Sequence, residues 1–365
     1  MKERINSGRQ HELDFAKAMA ILFMIAVHCL ETFSKNEIID NSLYGVIVEF
    51  FGSFTSATVF MTILGVGIVY SGKAEPLLLI KRGFFLLGLG YILNLARGFF
   101  PMLLSWQISG SDEWIPYFMI EPFRIDILQF AGLTFIFFGI AKKAGFKPIA
   151  YLVALVGFEI LNFLLQTYGF YLNDIMDYRN PSFYIAAFTG LFWGTSDLSS
   201  FPFLSWIFYP IAGYFFGNYL LRQNENRKRL LYTKTLVASA AIFTSLLFLC
   251  WFFNIDYGWE TDAAFYHHLA LGNFVFGSCA FILISMIFFA GKILPGFLKK
   301  TLIRWSSNIT EIYIIQWVLI GWIAVVTDYN QFGFLQTVML TIIVLLSSDW
   351  LAICYKKIKR GSEKQ

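Results

Sequence analysis

Charge is what this sequence has least of: 14% of its residues are Asp, Glu, Lys or Arg, against about a quarter in an ordinary soluble domain. That scarcity excludes a soluble enzyme and a disordered chain. The net charge of +4 leaves no basic excess for a nucleic-acid face, so no nucleic-acid partner is expected. Cysteine is sparse too. Cys29, Cys250, Cys279 and Cys354 stand far apart in apolar stretches, which suggests neither a disulfide framework nor a zinc site; they read as packing residues. Internal repeats, low-complexity runs and linkers are missing, so residues 1–365 read as a single domain. The first apolar stretch has no small-residue cleavage site, and Asp14 and Lys17 interrupt its start, so it reads as a retained helix and not as a signal peptide.

Apolar residues are abundant: 57% of the chain is hydrophobic, with 42 Phe, 18 Tyr and 10 Trp. The fold class is therefore an all-α polytopic membrane protein. A spanning helix needs about 20 predominantly apolar residues, and ten stretches qualify, near 13–33, 43–71, 77–97, 125–141, 148–166, 202–221, 231–253, 265–291, 303–327 and 333–355. The second is too long for one upright helix, so it is either tilted or broken near Gly52 and Ser53. Alternate connections carry opposite charge. One set holds Lys2, Arg4 and Arg9, then Lys73, Lys81 and Arg82, then Lys142, Lys143 and Lys147, then Arg222 to Arg229, then Lys292 to Arg304, then the tail from Lys356 to Lys364. The other holds Glu37 and Asp40, Asp112 and Glu113, Asp174, Asp177 and Asp197, Asp256, Glu260 and Asp262, and Asp328. The positive-inside rule puts the first set and both termini in the cytoplasm. Two outer connections, about 98–124 and 167–201, are long and aromatic, and they read as either an ordered cap or an interfacial belt.

Ionisable groups at membrane depth are costly, which makes each a functional candidate. The first span holds the densest set: Glu12, Asp14, Lys17, His28 and Glu31. Lys17 and His28 lie eleven positions apart, within about 20° of three whole turns, so they share a face with about 16 Å between them along the axis. Asp14 is placed to pair with Lys17, and Glu31 to orient the His28 ring. A lone membrane histidine can also simply hydrogen-bond a neighbouring helix. The separation nonetheless suits coenzyme A, whose anionic nucleotide end and thin arm match a cation near the cytoplasm and a base deeper in. Lys17, with Lys81 and Arg82, would hold the phosphates of acetyl-CoA or another acyl-CoA; alone, Lys81 and Arg82 read as the positive-inside signal. At the outer start of the fourth span, Arg124, Asp126 and Gln129 lie near the depth of His28, placed either to position an acceptor or as an interfacial pair. Asn308, Glu311 and Gln316 form a polar stripe on the ninth span. Glu159, Asp349 and the pair His267 and His268 are weaker candidates. Adjacent histidines point to different sides of a helix, so no metal site is expected there.

These blocks resemble the bacterial relatives of the heparan-alpha-glucosaminide N-acetyltransferase catalytic domain, within the superfamily of multi-span acyltransferases. Glu12-Leu13-Asp14-Phe15-Ala16-Lys17 through His28 is similar to the opening motif, in which a basic residue precedes a histidine by eleven positions. Ile80-Lys81-Arg82-Gly83, Ile125-Asp126-Ile127-Leu128-Gln129, Ser200-Phe201-Pro202 through Trp206, and Ser306 to Trp317 follow in the order of later blocks. The resemblance implies transfer of an acyl group, usually acetyl, from cytoplasmic acetyl-CoA to a hydroxyl or amine of an extracytoplasmic glycan, in the cytoplasmic membrane of a bacterium. His28 carries over as the catalytic base or acyl-relay residue, tuned by Glu31 or Asp126, and Lys17 as the basic position; Arg124, Gln129, Asn308 and Glu311 are the candidate acceptor-side residues. The chain departs from the family at Lys17, where arginine is common, at Gln316, where histidine is frequent, and at Gln129, where aspartate or histidine is common. Two other classes fit the same residues: a transporter or flippase using the buried charges as a path, and a scaffold or sensor that binds acyl-CoA without turnover. A homodimer is compatible with the sequence. Direct transfer and a route through an acyl-histidine are both open.

Overall fold

The computed structural model describes residues 5–71, 75–168, 175–194, 196–259, 262–327 and 329–362. Lys2, Arg4, Lys73, Asp174, Glu260, Asp328 and Lys364, used above to orient the spans, lie outside the described residues. The described residues are helical, with two isolated bridges, Ser34 to Phe332 and Ile125 to Ser199. The principal helices are α1 (His11–Phe33), α2 (Leu43–Tyr70), α3 (Pro76–Ser109), α4 (Ile127–Lys143), α5 (Pro148–Tyr168), α6 (Phe208–Leu220), α7 (Glu225–Phe253), α8 (Ala270–Ile293), α9 (Ile309–Val326) and α10 (Phe334–Ser362). All ten apolar stretches are thus helical, and eight helices are long and apolar enough to cross a membrane. The exceptions are α4, with 17 residues, and α6, with 13. A separate turn, Phe203–Trp206, precedes α6; Pro210 has no N–H to give the carbonyl of Trp206, so the two pieces do not join regularly.

Two long helices carry wide turns where the chain has a reason for them. In α2 the turn Phe50–Ser56 is π-helical, at the Gly52 and Ser53 irregularity read from the sequence, and the Ser56 hydroxyl donates to the Phe51 carbonyl. In α3 the π-helical turn Leu95–Phe99 precedes Pro101, which cannot donate to the carbonyl four residues back, that of Arg97. The third span consequently does not stop near residue 97. It continues to Ser109, and a charged side chain that marks an apolar boundary in the sequence is buried in the middle of a helix.

Glycine sets the closest approaches between helices, as small residues do where lipid supplies no hydrophobic drive. A Cβ on Gly65 would strike the carbonyl of Pro210, and one on Gly213 the carbonyl of Thr62, so α2 and α6 meet backbone to backbone. Gly83 and Gly132 do the same for α3 and α4. Helix α1 is central: it packs against α2, α8, α9, α10 and the helix Gly296–Ser307. In contrast, α5 and α7 leave large side chains such as Val153, Val156, Trp251 and Phe252 exposed, in keeping with contact with lipid.

Where they are described, the connections 98–124 and 175–201 are ordered and pack on each other as a cap. Beyond α3 run the helix Trp114–Ile120 and the turn Glu121–Phe123. The second connection brings the helix Phe183–Thr189 over them, and Phe183, Ala187 and Leu198 pack with Ile120 and Phe123. Backbone bonds from Ile125 N to Leu198 O, 2.7 Å, and from Ser200 N to Ile125 O, 3.0 Å, lock the two connections together at the start of α4.

Candidate functional site

The site begins with one histidine on the central helix. His28 is partly buried and lines a cavity of about 280 Å³ beneath the cap, with Met24, Val27, Glu31, Arg97, Glu121, Arg124, Asp126, Tyr313, Trp317 and Tyr329 among its walls. Four separate parts of the chain meet there. Helix α1 brings His28; α9 brings Tyr313 and Trp317; the wide turn of α3 brings Arg97; the cap and the start of α4 bring Glu121, Arg124 and Asp126.

Around His28 the contacts come from α9. The Nδ1 atom lies 3.2 Å from Gln316 Oε1 and 3.1 Å from Gln316 Nε2, and the imidazole stacks on the Trp317 ring with centroids 3.9 Å apart. Gln316 is fully buried. Glu31, expected to orient the ring, accepts from Ser53 Oγ at 3.1 Å, and Gln316 takes the place at Nδ1.

Asp126 is nearby but faces a different partner. It forms an ion pair with Arg97, whose guanidinium carbon also lies 4.4 Å over the Trp317 ring. Both residues are less than a tenth exposed. Arg97 Nε is 3.8 Å from Glu121, and Glu121 in turn accepts from Arg124 Nε at 3.0 Å. A buried arginine is tolerable at such depth only when its charge is met this way. Asp126 also caps α4: its carboxylate accepts from Ile127 N at 2.6 Å, and Gln129 Oε1 accepts from Asp126 N at 3.2 Å, a reciprocal capping box.

The cap explains where Gln129 goes. It is fully buried, gives its Nε2 to the Arg124 carbonyl at 3.3 Å, and is not among the residues lining the cavity. Its expected place on the acceptor side is therefore corrected to a helix cap. Asn308 and Glu311 are corrected as well. They lie at the start of α9, where Lys356 Nζ donates to Asn308 Oδ1 at 2.8 Å and pairs with Glu311 at 3.3 Å, away from the cavity that holds His28.

At the other end of α1 a second cavity, of about 260 Å³, is lined by Ser7, Gly8, Arg9, Gln10, Leu13, Asp14 and Lys17 with Ile63, Val66, Gly67 and Tyr70 of α2. Lys17 and His28 thus open into two cavities toward opposite ends of the same helix. Asp14, expected beside Lys17, instead pairs with Arg9 at 2.5 Å and accepts from Ser306 Oγ at 2.7 Å. Lys81 and Arg82 are exposed and do not line this cavity; Arg82 lies 4.4 Å over the Phe135 ring. The basic neighbour of Lys17 in the cavity wall is Arg9.

The weaker candidates form a separate buried network. His268 Nε2 meets Tyr209 Oη at 2.9 Å and Asn273 Oδ1 at 3.0 Å, and Asn273 donates to Glu159 at 2.8 Å. His267 Nε2 lies 2.6 Å from the Ser199 carbonyl, so the two imidazoles diverge. Among the described residues no cluster of three or more metal-binding side chains is present. Asp349 pairs with Arg304 at 2.6 Å.

Arg97, Glu121, Tyr313 and Trp317 are site residues that the sequence reading did not single out. Arg97 closes the apolar stretch 77–97 and so looks like the end of a span. The others are set by tertiary contact.

Fold and site together define a multi-pass helical membrane protein with an ionisable cavity at each end of its central helix. The heparan-alpha-glucosaminide N-acetyltransferase catalytic family matches residues 9–249, and the chain belongs to that family. Membership supports acetyl transfer to nitrogen on a glycan. No curated protein matches the chain. Helix α9, which supplies Gln316 and Trp317, lies beyond the matched residues.

Proposed function

We propose that the protein moves an acyl group, in the first instance acetyl, from acetyl-CoA on the cytoplasmic side to a hydroxyl or amine of a sugar on the outer side. The proposal takes 1–365 as one domain of ten spans with both termini inside, in the cytoplasmic membrane of a bacterium. The observation that carries it is the pair of cavities on α1, with Lys17 in one and His28 in the other. Lys17 and Arg9 would meet the donor's phosphates in the inner cavity, and the arm would reach outward along the face that carries Lys17, Ile21, Met24 and His28, about 16 Å in all.

In the outer cavity His28 Nε2 takes the proton of the acceptor as it attacks the thioester carbonyl. The C–N or C–O bond forms, the C–S bond breaks, and the proton returns to the leaving thiolate to give CoA thiol. In the two-step route Nε2 is itself acylated first. Three carboxylates and two guanidinium groups line that cavity, a balance that suits a neutral or amine-bearing sugar over an acidic one. Family membership favours transfer over the transporter reading.

The test is acetyl-CoA binding to purified protein by calorimetry, with Lys17→Ala and His28→Ala alongside wild type. Weaker binding for Lys17→Ala, with affinity kept in His28→Ala and transfer lost, is the expected pattern. Absence of binding to wild type overturns the proposal.

A further inference from the structure

We infer that Gln316 is a positioning residue that holds His28 in the tautomer with the proton on Nδ1, leaving the lone pair of Nε2 for the acceptor or the thioester; this rests on the transfer reading above. Both polar atoms of the Gln316 amide lie within 3.2 Å of Nδ1, so two arrangements satisfy the geometry. In one, Nδ1–H donates to Oε1 and Nε2 is free to accept a proton. In the other, the amide NH2 donates to a bare Nδ1, and Nε2 carries a hydrogen. Only the first leaves a base or a nucleophile, since either role needs a lone pair on the nitrogen away from Gln316.

The surroundings fix the ring for this purpose. Trp317 is the next residue on α9 and stacks on the imidazole, so consecutive side chains of one helix hold its plane and its Nδ1. Gln316 is fully buried between the turns of Ile312 and Ile320, which are buried as well. A buried amide so placed keeps a hydrogen bond because leaving a polar atom unmet costs about 1–3 kcal/mol. What the amide does not supply is charge. The usual orienting group for a catalytic histidine is a carboxylate, which also stabilises the imidazolium. Here the orienting group is neutral, and Asp126, the acid at similar depth, is committed to Arg97. Orientation and charge stabilisation are separated in this site.

The first readout is the tautomer itself. Full-length protein labelled with 15N-histidine in detergent is compared with His28→Gln, which assigns the His28 signals among the four histidines. Protonated Nδ1 and bare Nε2 in wild type, with mixed tautomers in Gln316→Leu, is the expected result; protonated Nε2 in wild type overturns the inference. The second readout is acetyl transfer from acetyl-CoA to glucosamine. Gln316→Leu lowers kcat on the order of tenfold to a hundredfold with KM for acetyl-CoA unchanged, less than the 10²–10⁴ expected for loss of the base. Gln316→Glu, an acceptor only, keeps transfer and moves the acid limb of the rate profile to higher pH, because a carboxylate favours the imidazolium. Loss of transfer in a folded Gln316→Glu, with Gln316→Leu active, also overturns it. A wild type without any transfer defeats the acyltransferase reading instead, and the spectrum still decides the tautomer.

Discussion

The imidazole of His28 lies against the indole of Trp317, ring centroids 3.9 Å apart and planes 30° from parallel, and the Arg97 guanidinium meets that indole at 4.4 Å. One aromatic side chain therefore keeps an imidazole and a permanent cation in contact with itself. The ring positions His28 by area and by its quadrupole.

Replacing Trp317 separates those roles. Trp317→Phe keeps an aromatic face and retains most of the transfer rate, whereas Trp317→Ala frees both neighbours. Stacking of this kind is worth about 0.5–1.5 kcal/mol beyond buried area, so the alanine variant loses on the order of tenfold in kcat. Steady-state transfer kinetics on the two variants, with thermal unfolding as the folding check, decides it. Equal loss in both would mean that the indole N–H, and not the ring face, is what matters.

The pair of Arg97 and Asp126 predicts strong coupling. Each is buried; removing Arg97 leaves Asp126 without its cation, at a cost of about 3–5 kcal/mol, and removing Asp126 leaves Arg97 with only Glu121 at 3.8 Å. Arg97→Met and Asp126→Asn should each lower thermal stability sharply, while the double variant is no worse than either alone. A double-mutant cycle on unfolding in detergent measures the interaction directly. Additive losses would show that the ion pair is not what keeps the two groups at this depth.

Much of this architecture was legible in the chain. Spacing alone put Lys17 and His28 on one face, and the structure gives each a cavity at its own end of α1. Apolar length found the principal helices, and α2, expected to be tilted or broken near Gly52 and Ser53, is one helix with a wide turn there. Arg97 was not legible, because a charged residue at the edge of an apolar run looks like the end of a span. Only the turn before Pro101 shows that the helix goes on and buries it. Gln316 was visible as polar, but its partner lies 288 residues away, and no local pattern encodes such a pairing. The identity of a polar residue also did not reveal its task. Gln129 stands in a motif position and works as a cap, and Asp14 sits three residues from Lys17 but turns to Arg9 and Ser306.

The role of Gln129 is open to a simple test. A capping side chain contributes about 1 kcal/mol to its helix, and Gly90 approaches the Gln129 amide so closely that a Cβ there would strike it. Gln129→Ala should therefore lower the midpoint of thermal unfolding by a few degrees and leave KM for the sugar acceptor unchanged. A raised KM at unchanged stability would return the residue to the acceptor side.

The last prediction concerns the stretch between the two cavities. Ile21 and Met24 follow Lys17 on the face that leads to His28, both are buried, and Met24 lines the cavity that holds His28. Methionine is flexible enough to move aside for a thin arm, and a rigid indole is not. If the donor's arm runs along this face, Met24→Trp blocks it between its anchor and its target. Acetyl-CoA still binds through Lys17 and Arg9, its affinity falling by less than about tenfold, while transfer drops by more than a hundredfold. Met24→Leu, close in volume, is the control for packing and should transfer normally. Calorimetry and transfer assays on the same preparations separate the two effects. If Met24→Trp binds and transfers like wild type, the donor reaches His28 by another path, and the shared face of Lys17 and His28 is a matter of helix packing alone.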